Sequence, residues 1–262
     1  MKRPTARELI GGKRVLAIAH RGDSSQAPEN TLPAFRSALA LGVDFVELDY
    51  RHSSDGVPVV FHDRDLDRTT DASARWHGQR IALAEHTAEE LRTLDAGRWF
   101  APKFAGTQLS TLAEALAAIT PQAMAAIERK TGDAATCVKL LRDGDWVDHV
   151  AVMAFDWDFL ADCHAREPKL ATIALGDEQL TPAKLEAARR TGCVAIGWNN
   201  DYLTAQGVQA IHARGWKAWV WTADQPARWR ELVEMGVSGI TSNRPGPLKE
   251  MLATLDQQPS SD

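Results

Sequence analysis

The chain has 262 residues, with 30 Lys plus Arg against 35 Asp plus Glu and a net charge of −5. That length suits one large domain or two small ones and is ample for a substantial core, and 44% hydrophobic with 25% charged residues is a globular composition, not a disordered one. The charge balance offers no basic field for nucleic acid, so no nucleic-acid partner is expected. No apolar run reaches bilayer-spanning length, so no stable membrane insertion is expected either.

In chain order, residues 1–14 are polar and lack the apolar stretch of a secretory signal. Short apolar, β-rich runs then follow at 15–20, 45–50, 57–62, 123–128, 149–154, 170–174, 194–197, 217–221 and 238–241. Helical patterns lie between them, among others at 31–40, 111–119, 134–142, 182–190, 204–214 and 226–235. Strand–helix alternation over some 250 residues has the arithmetic of a TIM-type (β/α)₈ barrel. A doubly wound open sheet is the second choice, but the Gly-x-Gly-x-x-Gly turn it calls for is absent. Thr87 with Glu90, and Thr111 with Glu114, fit helix capping boxes. Gly192, Gly215 and Gly236 are placed to close helices in the left-handed conformation.

Residues 64–109 break the rhythm. They predict an extended excursion or cap after the third strand, with one helix at 87–94. Its aromatics Trp76, Trp99, Phe100 and Phe104 either line a cleft or, the more ordinary role, bury the excursion against the barrel. The whole chain, 1–262, reads as one domain, with 256–262 a disordered tail. Cys137, Cys163 and Cys193 have no metal-type spacing and read as reduced thiols of a cytoplasmic protein.

The ionisable residues cluster by position. In a barrel the C-terminal strand ends form the active site. Here the first strand ends in His20-Arg21, the second carries Glu47 and Asp49, the third ends in His62-Asp63, and the fourth ends at Glu128 with Lys130 two residues on. Side chains two apart on a strand share a face, so three carboxylates, Glu47, Asp49 and Glu128, point to one region. They would repel one another unless a cation sat between them. All-oxygen donors suit a hard divalent ion, Mg²⁺ or Ca²⁺. The competing arrangement pairs each acid with a base such as Arg51 or Lys130. Asp55-Gly56 is a two-residue hairpin signal; a turn centred there sets Asp49 directly opposite His62, although consecutive barrel strands ought to be parallel.

His20-Arg21-Gly22, Pro28-Glu29-Asn30-Thr31, Glu47-Leu48-Asp49, the run from Asp55 to Asp63, Leu66-Asp67-Arg68-Thr69-Thr70, Ile127-Glu128-x-Lys130, Trp221-Thr222 and Gly239-Ile240-Thr241 with Pro245 together resemble the glycerophosphodiester phosphodiesterase family. The resemblance implies metal-dependent hydrolysis of a small-molecule glycerophosphodiester to sn-glycerol 3-phosphate and an alcohol. It implies His20 and His62 as acid and base, Glu47, Asp49 and Glu128 as metal ligands, Arg21, Glu29 and Lys130 around the phosphate or metal, and Trp221 on the glycerol side. Which histidine is the acid stays open, as does whether water or the substrate's own hydroxyl attacks. The alternatives are a lysophospholipase D-like phosphodiesterase and a catalytically silent phosphodiester-binding barrel. The sequence departs from the family pattern at Arg129, which should point outward and need a carboxylate partner, at Ala154, at Ser110, and at Ser242-Asn243, where an Asp is usual.

Overall fold

A computed structural model describes residues 3–256; the expected tail lies outside the described residues except for Asp256, which ends a helix. The strands are β1 (Leu16–Ala19), β2 (Phe45–His52), β3 (Pro58–Val60), β4 (Met124–Arg129), β5 (Val150–Ala154), β6 (Ala171–Gly176), β7 (Ala195–Asn199), β8 (Lys217–Trp221) and β9 (Gly239–Ser242). The helices are α1 (Ala6–Gly11), α2 (Leu32–Ala40), α3 (Ala72–Trp76), α4 (Ala88–Arg92), α5 (Leu112–Ile119), α6 (Ala134–Asp143), α7 (Trp157–Arg166), α8 (Pro182–Ala188), α9 (Ala205–His212), α10 (Pro226–Glu234) and α11 (Pro245–Asp256). All strands except β3 pair in parallel in the order β1-β9-β8-β7-β6-β5-β4-β2, and a β1–β2 pairing closes the ring. This is the eight-stranded TIM barrel that the alternation predicts.

Alternation along each strand divides the core in two. Leu16, Ile18, Phe45, Met124, Ala126, Ala151, Met153, Ile173, Leu175 and Trp219 fill the barrel interior. Their neighbours, among them Ala17, Val46, Leu48, Ala125, Ile127, Val152 and Val220, pack outward against the helices. The polar N-terminal stretch has a structural use. Thr5 and Glu8 form a capping box that starts α1, and α1 buries Ala6 and Ile10 against the interior cluster, stoppering the barrel at its N-terminal end. The boxes at Thr87 and Thr111 form as expected, and Gly192, Gly215 and Gly236 all have positive φ. No helix among the described residues is long and apolar enough to cross a membrane.

The difficulty over strands two and three resolves as an irregularity. β1 ends early, which leaves the upper edge of β2 unpaired, and β3 folds back antiparallel to cover that edge. The hairpin is therefore real, but its register is corrected by one residue: Tyr50 faces Val60, Arg51 faces Val59 and His52 faces Pro58. The connection is longer than a two-residue turn. Ser53 N–H bonds to Val57 O at 3.0 Å, Gly56 N–H bonds to Ser53 O at 3.0 Å, and Gly56 has φ 80°, the three-residue loop ending in a left-handed glycine. Phe61, not His62, thus sits against Asp49, with its N–H 3.0 Å from Asp49 O.

The excursion forms α3, α4 and two short 3₁₀ turns. It has an aliphatic cluster of its own, with Leu66, Leu83, Leu91, Leu94 and Leu109 gathered on Val59 and Phe61. Trp76 stacks on His86 at 4.0 Å and packs against this cluster. Trp99 is half-exposed and meets Phe100 edge-on. The aromatics trim the excursion's edges, and none of the four lines the cavity at the barrel mouth.

Candidate active site

Beyond β1 the chain turns sharply through two left-handed residues, Arg21 (φ 56°) and Gly22 (φ 82°). A Cβ on Gly22 would stand 2.7–2.9 Å from atoms of Ala34 in α2, so only glycine lets the loop lie on that helix. The turn aims Arg21 inward. Its backbone N–H donates to Glu47 Oε2 (2.8 Å), its guanidinium pairs with Glu29 (2.8 Å), and its Nε lies 3.2 Å from Asp49. Asn30, also left-handed at φ 56°, clamps Asp49 twice: Nδ2 donates to Oδ2 at 2.8 Å and Oδ1 accepts from the Asp49 N–H at 3.1 Å.

Asp49 and Glu128 are register partners on β2 and β4, and Glu47 lies one pleat below Asp49. One carboxylate oxygen from each of the three lies within 4.8 Å of the others. Glu47 and Asp49 are buried. Burial, reinforced by repulsion from Asp49, pushes Glu47 well above the usual carboxylate range and Glu128 up to about 7. Burial acts the same way on Asp49, but Lys130 and Arg21 outweigh it and hold this acid down at about 2. Lys130 contacts Glu128 and lies 3.1 Å from Asp49 Oδ1; it does not reach Glu47, which makes no ion pair among the described residues. Arg51 forms no ion pair with these acids among the described residues; its Nε donates to His62 O at 2.8 Å. Three carboxylates thus share one ammonium and a guanidinium already engaged by Glu29. An all-oxygen set with unmet negative charge fits a hard divalent cation.

Both histidines join the acids. His20 lines the mouth cavity with Glu47, Glu128, Thr241, Trp219 and Trp221. Burial and the neighbouring Arg21 lower its pKa to about 4. His62 follows β3, and its Nδ1 lies 2.6 Å from Asp63 Oδ1. Burial lowers its pKa too, against the pull of Asp49 and Asp63. Asp63 also accepts from Arg68 Nε at 2.5 Å, and Arg68 grips Glu29 with both terminal nitrogens at 2.9 and 2.7 Å. The excursion therefore reaches back through Arg68 to tie His62 to the loop that holds Arg21. Trp221 lines the cavity, donates to Gly197 O at 3.3 Å, and meets Phe155 edge-on at 5.6 Å.

All nine residues singled out from the sequence meet at one barrel end. Sequence reasoning missed Asn30, Asp63 and Arg68, although each stands inside a motif quoted for the resemblance. It also missed Asn243, which reaches His20 from just past β9, and Asp224, which follows β8 and holds Asn243. Trp219, which packs in the barrel interior, has a face on the cavity as well.

A parallel barrel with acids, imidazoles and fixed cations gathered at the C-terminal strand ends has the arrangement of a TIM-barrel enzyme's active site. The Glycerophosphoryl diester phosphodiesterase family profile matches residues 20–247, and the chain belongs to that family. It is 31% identical over 244 residues to the glycerophosphodiester phosphodiesterase of Caldanaerobacter subterraneus subsp. tengcongensis, covering 90% of this chain and 96% of the relative. It is 29% identical over 259 residues to the Bacillus subtilis protein of the same name, covering 90% and 86%. The structure of an Oleispira antarctica phosphodiesterase in complex with the product sn-glycerol-3-phosphate superposes with a TM-score of 0.81 at 27% identity, covering 92% of this chain and 96% of that one.

Proposed function

We propose that this protein hydrolyses glycerophosphodiesters to sn-glycerol 3-phosphate and an alcohol, with Glu47, Asp49 and Glu128 holding a divalent cation, Mg²⁺ or Ca²⁺, and His20 and His62 exchanging protons with substrate. The observation that carries this reading is the meeting of three under-neutralised carboxylates with two imidazoles, each tethered through Nδ1. The product-bound Oleispira structure supports the substrate class by analogy.

A phosphodiester is anionic and repels a nucleophile. The cation, when bound, would neutralise charge on a non-bridging phosphate oxygen. Arg21 and Lys130 bring positive charge to the same place, with Glu29 fixing the Arg21 guanidinium so that it is ordered before substrate arrives. With Nδ1 engaged in both rings, Nε2 is the nitrogen left for proton transfer. One imidazole takes the proton of the attacking oxygen and the other gives one to the departing alcohol. Trp221 offers an apolar wall for the glycerol carbons.

A panel of glycerophosphodiesters assayed for sn-glycerol 3-phosphate tests the reading. We expect turnover that EDTA abolishes and Mg²⁺ or Ca²⁺ restores. H20A and H62A should each lower kcat by about 10² or more, the scale of lost acid–base catalysis. Rates unchanged after chelation would remove the metal assignment, and variants within a few-fold of wild type would remove the histidines.

A further inference from the structure

The catalytic cavity has a neighbour on its rim. Loops after β5 and β6 enclose a hollow of about 310 Å³, lined among others by Phe155, Trp157, Asp177, Glu178 and Trp198. Leu175 borders both this hollow and the catalytic cavity. Glu128 pairs in register with Met153 of β5, and Ala154 of β5 with Ala174 of β6. The hollow therefore opens one to two strand spacings, roughly 5–10 Å, from the acids. Phe155 links the two spaces: it lines the hollow, is 43% exposed, and meets Trp221 of the catalytic cavity edge-on at 5.6 Å.

The indoles of the hollow are fixed in place. Trp157 Nε1 donates to Leu175 O at 2.9 Å, and Trp198 Nε1 donates to Glu178 O at 2.6 Å. A Cβ on Gly176 would collide with the Trp198 ring, so glycine at the end of β6 gives that indole its room. With both N–H groups spent on backbone carbonyls, the indoles offer an occupant aromatic carbon and no hydrogen bond. Charge is the second observation. Lys184 is the one cation among the lining residues; it pairs with Glu178, and its Nζ donates to Gln179 O at 3.2 Å. Asp177 is exposed and makes no ion pair among the described residues. Aromatic rings beside an unmatched carboxylate suit a weakly hydrated organic cation. On the β1 and β4 side of the mouth the groups at hand for an anion are Arg21 and Lys130.

We propose that this hollow is the subsite for the departing alcohol and that it takes a quaternary ammonium, which makes glycerophosphocholine the preferred diester. The inference rests on the hydrolysis proposed above and adds the identity of the leaving group. With the phosphate at the three acids, the two-carbon spacer of choline carries its nitrogen past Phe155 toward Asp177. The methylated ammonium meets aromatic carbon on its sides and a carboxylate beyond. A neutral polyol would set hydroxyls against walls that have no N–H to give, and an anionic alcohol would meet Asp177. Phe155 and Asp177 select the substrate by binding its far end, away from the reacting atoms.

Two esters that differ only in the alcohol give the test. Full-length protein is assayed with divalent cation on glycerophosphocholine and on glycerophosphoglycerol, whose leaving group is neutral. We expect kcat/KM to favour the choline ester by about fivefold or more. F155L keeps the bulk and removes the ring, and D177N keeps the shape and removes the charge. Each should raise KM for glycerophosphocholine by about threefold or more, with kcat nearly unchanged and glycerophosphoglycerol unaffected. The D177N penalty should shrink in high salt, as for any exposed charge. Equal kcat/KM for the two esters in wild type overturns the proposal even if neither variant folds. So does a loss shared by both esters, or a preference that the folded variants leave intact. Choline chloride alone separates the subsite from the reaction: in saturation-transfer NMR its methyl signal should respond to wild type and far less to F155L. That response in a protein that turns over no diester would sink the hydrolysis and leave the subsite standing; turnover with no such response would sink the subsite alone.

Discussion

Gly22 has no room for a side chain, and the site depends on that. Its positive φ and its contact with α2 fix the turn that sends Arg21 between Glu29 and Asp49. Gly22→Ala should destabilise the protein by about 1–3 kcal/mol, the range for a residue forced into a strained backbone region, and denaturant unfolding would measure it. Activity should fall further than stability accounts for, because Arg21 moves with the turn. An outward residue tells a similar story. Arg129 was expected to need a carboxylate, and it finds Asp156 at 3.0 Å while lying over the Phe159 ring. Such residues are legible because strand alternation is rigid: once Glu128 points in, Arg129 points out. Asn243 as the partner of His20, and Asp224 as the partner of Asn243, were not legible. They come from two strands distant in sequence, and only the closed ring brings those strands beside β1. The one trace was Asn243's departure from its family pattern.

Among the elements, most strands and the barrel helices follow from periodicity and caps, whereas the β2–β3 register does not. A glycine-containing turn signals a hairpin, but two- and three-residue loops differ by one position in pairing, and one position exchanges the faces of a strand. What rescues the site is that His62 lies beyond the paired part of β3, where the pleat no longer dictates its direction; Asp63 and Arg68 hold it instead. Helix α1 escaped notice because it is six residues long and shows only two buried side chains, Ala6 and Ile10. Those two positions nonetheless close the barrel. Ile10→Ala should lower unfolding free energy by about 2–5 kcal/mol, the usual range for such a truncation in a core. Activity at 25 °C should remain near wild type, since α1 lies at the end opposite the acids. A near-neutral effect on unfolding would show that α1 merely rests on the barrel.

For the whole molecule, the carboxylate cluster makes stability depend on pH and, if the proposed cation binds there, on cation as well. Glu128 is held at about 7 against an ordinary 4.5, and Glu47 is raised as well. An acid with a raised folded pKa favours the fold fully below about 4.5, and that contribution is lost as pH rises through about 7. His20 works the other way: lowered from 6.5 to about 4, it withdraws stability as pH falls through that interval. A divalent cation relieves the repulsion among ionised acids, but at low pH it must first displace protons. The rise in Tm on replacing EDTA with excess Mg²⁺ or Ca²⁺ should therefore be larger at about pH 8 than at about pH 5. Calorimetry at both values checks this, and an equal rise would place the cation elsewhere.

A barrel packed solid below its mouth has a single doorway. With the barrel interior filled by side chains and Ala6 and Ile10 packed across its N-terminal end, incoming diester, consumed water and both outgoing products must use the same rim. The spent alcohol or phosphate ester, when abundant, should hinder the arrival of fresh diester as a competitor.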